Sequence, residues 1–245
     1  MRKYLLHILI ISIFSLVLFT CPFVLAQSYK LADEYWYKAQ ELGKQGRYLE
    51  AAKMSEKSVA AEKASPAPRM EELADALNEA GNYYSLVGQY DKALEYYEEA
   101  LAIDKRLGKE AAVAIRLNNI GVVYDDWGQY DKALKYFEEA LTIARKLGKE
   151  GSVATYLNNI GGVYKSWGQY DKALKYYEEA LAIDKRLGRE AGVATSLNNI
   201  GTVYDDWGQY DKAIEYYEEA LAIDKRLGSE AGVATYLNNI GRVYG

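Results

Sequence analysis

The sequence predicts an all-α fold of stacked two-helix hairpins, and three observations carry that expectation. The string Gly-Gln-Tyr-Asp-Lys-Ala begins at Gly88, Gly128, Gly168 and Gly208, each 40 residues after the last. Leu-Asn-Asn-Ile-Gly recurs with the same period from Leu117, Leu157, Leu197 and Leu237. Within one period, Leu117, Ile120, Val123 and Tyr124, then Ala133, Leu134, Phe137, Ala140 and Leu141, follow the spacing of two amphipathic helices. Two independent markers in one period identify a repeat array, in which each hairpin hides its apolar face against its neighbours.

Taken from the N-terminus, residues 1–26 read as an export signal. Arg2 and Lys3 precede an almost unbroken apolar run from Tyr4 to Leu25, and Val24-Leu25-Ala26 places small residues three and one before a cut at Gln27. The run is also about the length that spans a bilayer, and Leu18-Phe19-Thr20-Cys21 faintly resembles a lipoprotein box. An uncleaved membrane anchor and lipidation at Cys21 therefore stay open beside cleavage. All three readings place the rest of the chain outside the cytoplasm, periplasmic or secreted, as in a bacterial exported protein.

Residues 27–64 read as a diverged first hairpin. Gly46-Arg47-Tyr48-Leu49-Glu50-Ala51-Ala52 echoes the repeated motif, between helices expected near Tyr29–Lys44 and Tyr48–Ala64. Ser65-Pro66-Ala67-Pro68 interrupts the pattern, which makes residues 65–69 a linker. Residues 70–245 then hold four full repeats and a half repeat. In each, Trp127-Gly128-Gln129 or its copy separates the two helices, because Gly supplies a helix-ending conformation; Asp131 follows in the first turn of the second helix, where its charge suits the dipole. Leu107-Gly108-Lys109 and its copies separate successive repeats, after a basic last turn such as Lys105-Arg106. The sequence stops at Tyr244-Gly245 inside the first helix of a further unit, leaving Leu237, Ile240 and Tyr244 without a covering second helix. This predicts a fragment of a longer gene product.

Composition narrows the chemistry. His7 is the only histidine and Cys21 the only cysteine, so the chain beyond residue 26 has neither. Nucleophile-relay catalysis with histidine, zinc sites of His and Cys, and disulfides are thereby excluded from it. Without Arg2 and Lys3, 28 basic residues face 35 acidic ones, a net charge of −7. Nucleic acid is a poor partner for such a chain, since phosphate binding draws on a basic face. The Glu98-Glu99 pair and its copies read as a solvated outer surface rather than catalytic carboxylates or a metal site. No enzyme activity, cofactor or metal is expected, and a membrane only through an uncleaved N-terminal segment.

Leu117, Ile120-Gly121, Tyr124, Ala133, Phe137 and Ala140 stand at the spacing of the tetratricopeptide-repeat signature, and the sequence resembles that family from about Leu73 to Tyr244. It departs from the signature in three ways: Leu77, Leu117, Leu157 and Leu197 replace its first Trp, its late Pro is absent, and the period is 40 rather than 34. In its long period it is similar to kinesin-light-chain-like repeats. The resemblance implies an α-solenoid, a right-handed superhelix of helix-turn-helix hairpins, whose first helices line a groove that binds a peptide or partner protein.

Spacing then selects the residues on that groove. With Leu117, Ile120 and Tyr124 buried, Asn118, Val122, Asp125 and Asp126 lie on another stripe of the same helix. Across repeats, the first position is constant: Asn78, Asn118, Asn158, Asn198 and Asn238. Four residues on, the repeats vary as Asn82, Val122, Gly162, Thr202 and Arg242. The next turn varies as Asp125-Asp126, Lys165-Ser166 and Asp205-Asp206. A constant amide offers donor and acceptor to a bound backbone, while its neighbours read side chains. The second Asn of each pair, such as Asn119, resembles a family residue that braces the hairpin. Fusion of such an array to a caspase-like peptidase or kinase domain, as the sensor half of a larger effector, is the alternative.

Overall fold

The computed structural model describes residues 24–244; Arg2, Lys3, His7 and Cys21, and most of the expected export segment, lie outside the described residues. Every described element is a helix, and the chain divides into two compact units, Met1–Gly108 and Lys109–Gly245. The expected fold class, an all-α solenoid of helix-turn-helix hairpins, is the one found.

The first unit holds α1 (residues 24–44), α2 (Tyr48–Ala64), α3 (Met70–Leu86) and α4 (Tyr90–Leu107). The sequence places the start of α1 near Tyr29, but the chain is already helical at residue 24, straight across Ala26–Gln27. Nothing from Val24 to Gln27 is a Gly or Pro that would break a helix. The contacts that fasten α1 begin just after that point. The Ser28 hydroxyl donates to Ser65 Oγ at 3.2 Å, the Tyr29 hydroxyl to the Ala67 carbonyl at 2.5 Å, and the Ser58 hydroxyl to the Ala32 carbonyl at 2.8 Å. Val59, Leu73, Ala74, Ala76, Leu77, Ala100 and Ile103 join α2, α3 and α4 in one apolar cluster.

The second unit holds α5 (Glu110–Asp126), α6 (Tyr130–Lys146), α7 (Glu150–Ser166), α8 (Tyr170–Leu187), α9 (Glu190–Asp206), α10 (Tyr210–Leu227) and α11 (Glu230–Tyr244). The turn at Gly128 shows why the hairpins repeat so faithfully. Gly128 has φ 72°, and its N–H donates to the Asp125 carbonyl at 2.8 Å, while the Gln129 N–H donates to the Tyr124 carbonyl at 2.8 Å. This pair of bonds satisfies two carbonyls that the ending helix leaves free, and it sets the angle at which the next helix departs.

The two helices of a hairpin meet at a small residue. A Cβ on Gly121 would stand 2.7 Å from the Phe137 ring, and one on Gly201 would stand 2.7 Å from the Tyr217 ring, so only the bare backbone lets these aromatics lie flat across the crossing. Leu117, Ile120, Val123, Ala133, Phe137 and Ala140 are buried around that crossing. Successive hairpins then share their apolar seams: Ala173, Leu174 and Tyr177 pack on Ile200 and Val203, and Ala194, Leu197, Ala220 and Leu221 pack on Tyr236. No hairpin closes its own core, which is the physical meaning of the repeat.

One sequence reading changes in detail. Val123 fills the inward position expected of Tyr124, so Tyr124 is only half-buried; it stacks on Tyr136 at 5.5 Å with the Lys132 ammonium over its face. Trp127, Trp167 and Trp207 are each 41% exposed. Trp167 touches Tyr130 of the preceding hairpin at 5.9 Å, and Trp207 touches Tyr170 at 5.7 Å, so the indoles cover the edge of each junction rather than fill it. On α11, Tyr236 is buried whereas Leu237 is 52% and Tyr244 74% exposed. No described helix is long and apolar enough to cross a membrane.

Candidate functional site

In the second unit, α5, α7 and α9 carry most of the expected stripe. Asn118, Asn158, Asn198, Val122, Thr202, Asp125, Lys165 and Asp205 are half-buried, and Asp126 and Asp206 exposed. On α11, Asn238 and Arg242 are exposed. In the first unit, Asn78 is half-buried, and the exposed Asn82 accepts a hydrogen bond from the Tyr97 hydroxyl at 2.6 Å.

The constant amides bond along the array. Asn159 Nδ2 donates to Asn118 Oδ1 at 2.7 Å, and Asn239 Nδ2 donates to Asn198 Oδ1 at 3.0 Å. Asn158 Nδ2 donates to the Ser196 hydroxyl at 3.1 Å. Asn118 and Asn198 each receive the second Asn of the next repeat, and Asn158 pairs with Ser196 instead, so that each of the three ties its helix to the next first helix. For Asn159 and Asn239 these bonds run between hairpins.

One turn further on, the charged groups pair across hairpins. Lys165 Nζ lies 3.1 Å from Asp206 Oδ2, and the Arg242 guanidinium donates to Asp205. Asp125 has no such bond: its Oδ1 is buried without a hydrogen-bond partner. Burial, reinforced by the neighbouring Asp126 charge and opposed by Lys165, pushes Asp125 up to about 6. Burial likewise raises Asp126 above the ordinary carboxylate range.

Two residues differ from the satisfied case: Gly162 stands where Arg242 pairs with Asp205, and the other is one that the sequence reading treats only as core. The Tyr217 hydroxyl donates to Asp205 Oδ2 at 3.4 Å, but the corresponding ring over Gly121 is Phe137, which has no hydroxyl to offer Asp125. Tyr97 and Tyr217 thus have two functions, a ring that fills the crossing and a hydroxyl that reaches the stripe, at Asn82 and Asp205, and Phe137 has only the first. The signal was present in the sequence: Phe137 is the one Phe in the series Tyr97, Phe137, Tyr177 and Tyr217.

A constant helical frame whose successive hairpins share their apolar seams defines a helical-repeat protein. The family profile described as tetratricopeptide repeat matches residues 35–106, 72–146, 111–186, 152–226 and 192–245. The chain belongs to the tetratricopeptide-repeat family. Among curated proteins no match is found. Among solved structures, BtubC from P. vanneervenii is similar with a TM-score of 0.66 at 24% identity, over 85% of this chain and 92% of that one. The nearly identical TPR-like repeats of a Podosopora anserina kinesin light chain give 0.65 at 20% identity, over 83% and 99%. The Rap conjugation gene regulator of the plasmid pLS20, in complex with the Phr* peptide, gives 0.70 at 20% identity, over 82% of this chain and 55% of that one.

Proposed function

We propose that the chain is an exported protein-interaction scaffold that binds a peptide or partner protein along the stripe of α5, α7 and α9, without catalysing a reaction. One observation carries this reading: beside amides that stay constant at Asn118, Asn158 and Asn198, the next turn of the same stripe changes its charge from repeat to repeat, as Asp125-Asp126, Lys165 and Asp205-Asp206. Charges that vary on a constant frame suit side-chain discrimination more than stability. The Rap regulator, a structure of this fold, holds the Phr* peptide. The Asn amides serve here as the register of the binding surface, since Asn118, Asn158 and Asn198 each bond to the next hairpin, and the charged turn beside them selects the partner.

Affinity capture with residues 27–245 as bait, followed by titration, tests the reading. Asp125→Asn with Asp126→Asn, and separately Lys165→Ala, are expected to change affinity for the captured partner by roughly two- to tenfold in opposite directions, with a matching change in salt dependence. Unchanged affinity in both variants sinks the proposal. Export is tested apart from binding: intact mass of secreted protein is expected to begin at Gln27, and recovery with residues 1–26 attached, or with lipid on Cys21, argues against cleavage. Because the fastening contacts of α1 begin at Ser28, that cut leaves the first hairpin whole.

A further inference from the structure

The first unit contains a cavity of about 270 Å³ that the tetratricopeptide pattern does not account for. It is lined by Ala32, Asp33, Trp36 and Tyr37 of α1, Ser58 and Glu62 of α2, Arg69 of the linker, and Glu72, Asp75 and Ala76 of α3. Its walls combine aromatic surface with carboxylates. Trp36 and Tyr37 meet at 5.2 Å with their planes tilted by 59°, and Tyr37 is 63% exposed although it is a large aromatic. Trp36 also stands outside the series Trp127, Trp167 and Trp207, since it lies within a helix rather than at the end of one.

The only cation lining the cavity is already committed. Arg69 donates to Glu62 Oε2 at 2.8 Å and to Asp33 Oδ1 at 2.7 Å, and its guanidinium lies over the Tyr29 ring. Two carboxylates against one guanidinium leave the cluster negative before Glu72 and Asp75 are added. That excess reaches further along α3. Burial and the Asp75 charge push Glu79 up to about 7, although the Tyr83 hydroxyl donates to its Oε1, and its Oε2 is buried without a hydrogen-bond partner. An anion is therefore disfavoured at this site despite the presence of Arg69. A metal ion is disfavoured as well, because among the described residues no three carboxylates are disposed to hold one. What remains complementary is a cation with a flat or apolar body, attracted by the carboxylates and by the electron-rich face of Trp or Tyr.

We propose that this cavity binds an alkylguanidinium or alkylammonium group, with Trp36 and Tyr37 against the cation and Glu72 and Asp75 at its rim. Its volume suits a single arginine or lysine side chain rather than a larger ligand. The group has two sources, a basic side chain of a partner or a free amine. The site is separate from the stripe of the second unit and does not depend on it.

The test uses residues 27–245 and three probes: a blocked arginine tripeptide, its citrulline counterpart, and agmatine, followed by one-dimensional NMR or by Trp fluorescence. The arginine peptide is expected to bind with a dissociation constant on the order of 1 mM, as suits a ligand of about this size. Citrulline has nearly the same shape without the charge and is expected to bind at least fivefold more weakly. Glu72→Gln with Asp75→Asn, and separately Trp36→Ala, are each expected to weaken the arginine peptide by roughly five- to thirtyfold. Asp125→Asn with Asp126→Asn should leave it unchanged. Agmatine binding as tightly as the peptide supports the site with a free amine as its ligand, and tighter binding of the peptide supports it with a protein ligand. Equal affinity for arginine and citrulline, or unaltered binding in both cavity variants while their melting curves match the parent, overturns the proposal. If Trp36→Ala melts early, the Glu72 and Asp75 variant decides alone, since both of those side chains are exposed.

Discussion

The hairpin of α5 and α6 and the hairpin of α9 and α10 share a backbone, a turn and a ring over a glycine, yet they treat the same carboxylate oppositely. Asp205 receives the Tyr217 hydroxyl and the Arg242 guanidinium, whereas Asp125, opposite Phe137, keeps a buried oxygen with no partner. Two differences separate the satisfied site from the unsatisfied one: the hydroxyl of Tyr217, absent from Phe137, and the guanidinium of Arg242, where the repeat beside Asp125 has Gly162. Packing in this array is therefore insensitive to the Tyr–Phe exchange, and the polar stripe is not. A repeat protein can tune one face this way without disturbing its core.

The largest expected effect tests whether the two crossings are in fact alike. Gly121→Val and Gly201→Val should each destabilise by about 2–3 kcal/mol, because both put carbon into an aromatic ring 2.7 Å away. Denaturant melts that give very different values would break the comparison at its base.

Next comes the titration of Asp125. Unfolded, it titrates near 3.8; folded, near 6. Its folded value is raised, so ionisation opposes folding, and the stability due to this group falls as pH rises from about 4 to about 6 and stays lost above. Asp125→Asn should thus stabilise by about 1 kcal/mol at pH 7, after allowance for solvent screening, and by almost nothing at pH 4. An equal effect at both pH values would show that Asp125 is not strained.

The exchange of the hydroxyl itself is of similar or smaller size. Tyr217→Phe is expected to cost about 1 kcal/mol, and Phe137→Tyr to gain up to about that much while lowering the Asp125 titration toward the ordinary range. If Phe137→Tyr leaves the Asp125 carboxyl resonance titrating as before, the missing hydroxyl is not the cause. The smaller bond between Asn118 and Asn159 should show a coupling of roughly 0.5–1 kcal/mol in a double-mutant cycle to Ala. Smallest of all, the exposed pair of Lys146 and Glu110, 2.7 Å apart, should contribute about 0.3 kcal/mol and vanish in 1 M salt.

Most of the frame was legible because it rests on local rules repeated many times. Gly128 and its copies announced their turns, and Leu117, Ile120, Ala133 and Ala140 announced their buried faces. The stripe was legible as positions, but its bonding was not. That Asn159 reaches back to Asn118 requires two residues 41 apart to face each other across a hairpin junction. The aromatic exception at Phe137 was visible as a letter, but its meaning needed the position of Asp125. Trp36 and its cavity were not anticipated, since the first hairpin falls outside the regular repeat and its carboxylates are scattered from Asp33 to Asp75.

By itself the sequence determined the all-α repeat, the turns between helices from Gly46 onward, most of the residues on each face, and the absence of His and Cys beyond residue 26. Periodicity and turn chemistry act within a few residues, so they can be read in order along the chain. Tertiary structure decided which carboxylates are satisfied, which Asn meets which, and that Asp33, Trp36, Arg69 and Asp75 surround one cavity. Desolvation and hydrogen bonding depend on distances between helices, and those distances exist only once the hairpins have packed.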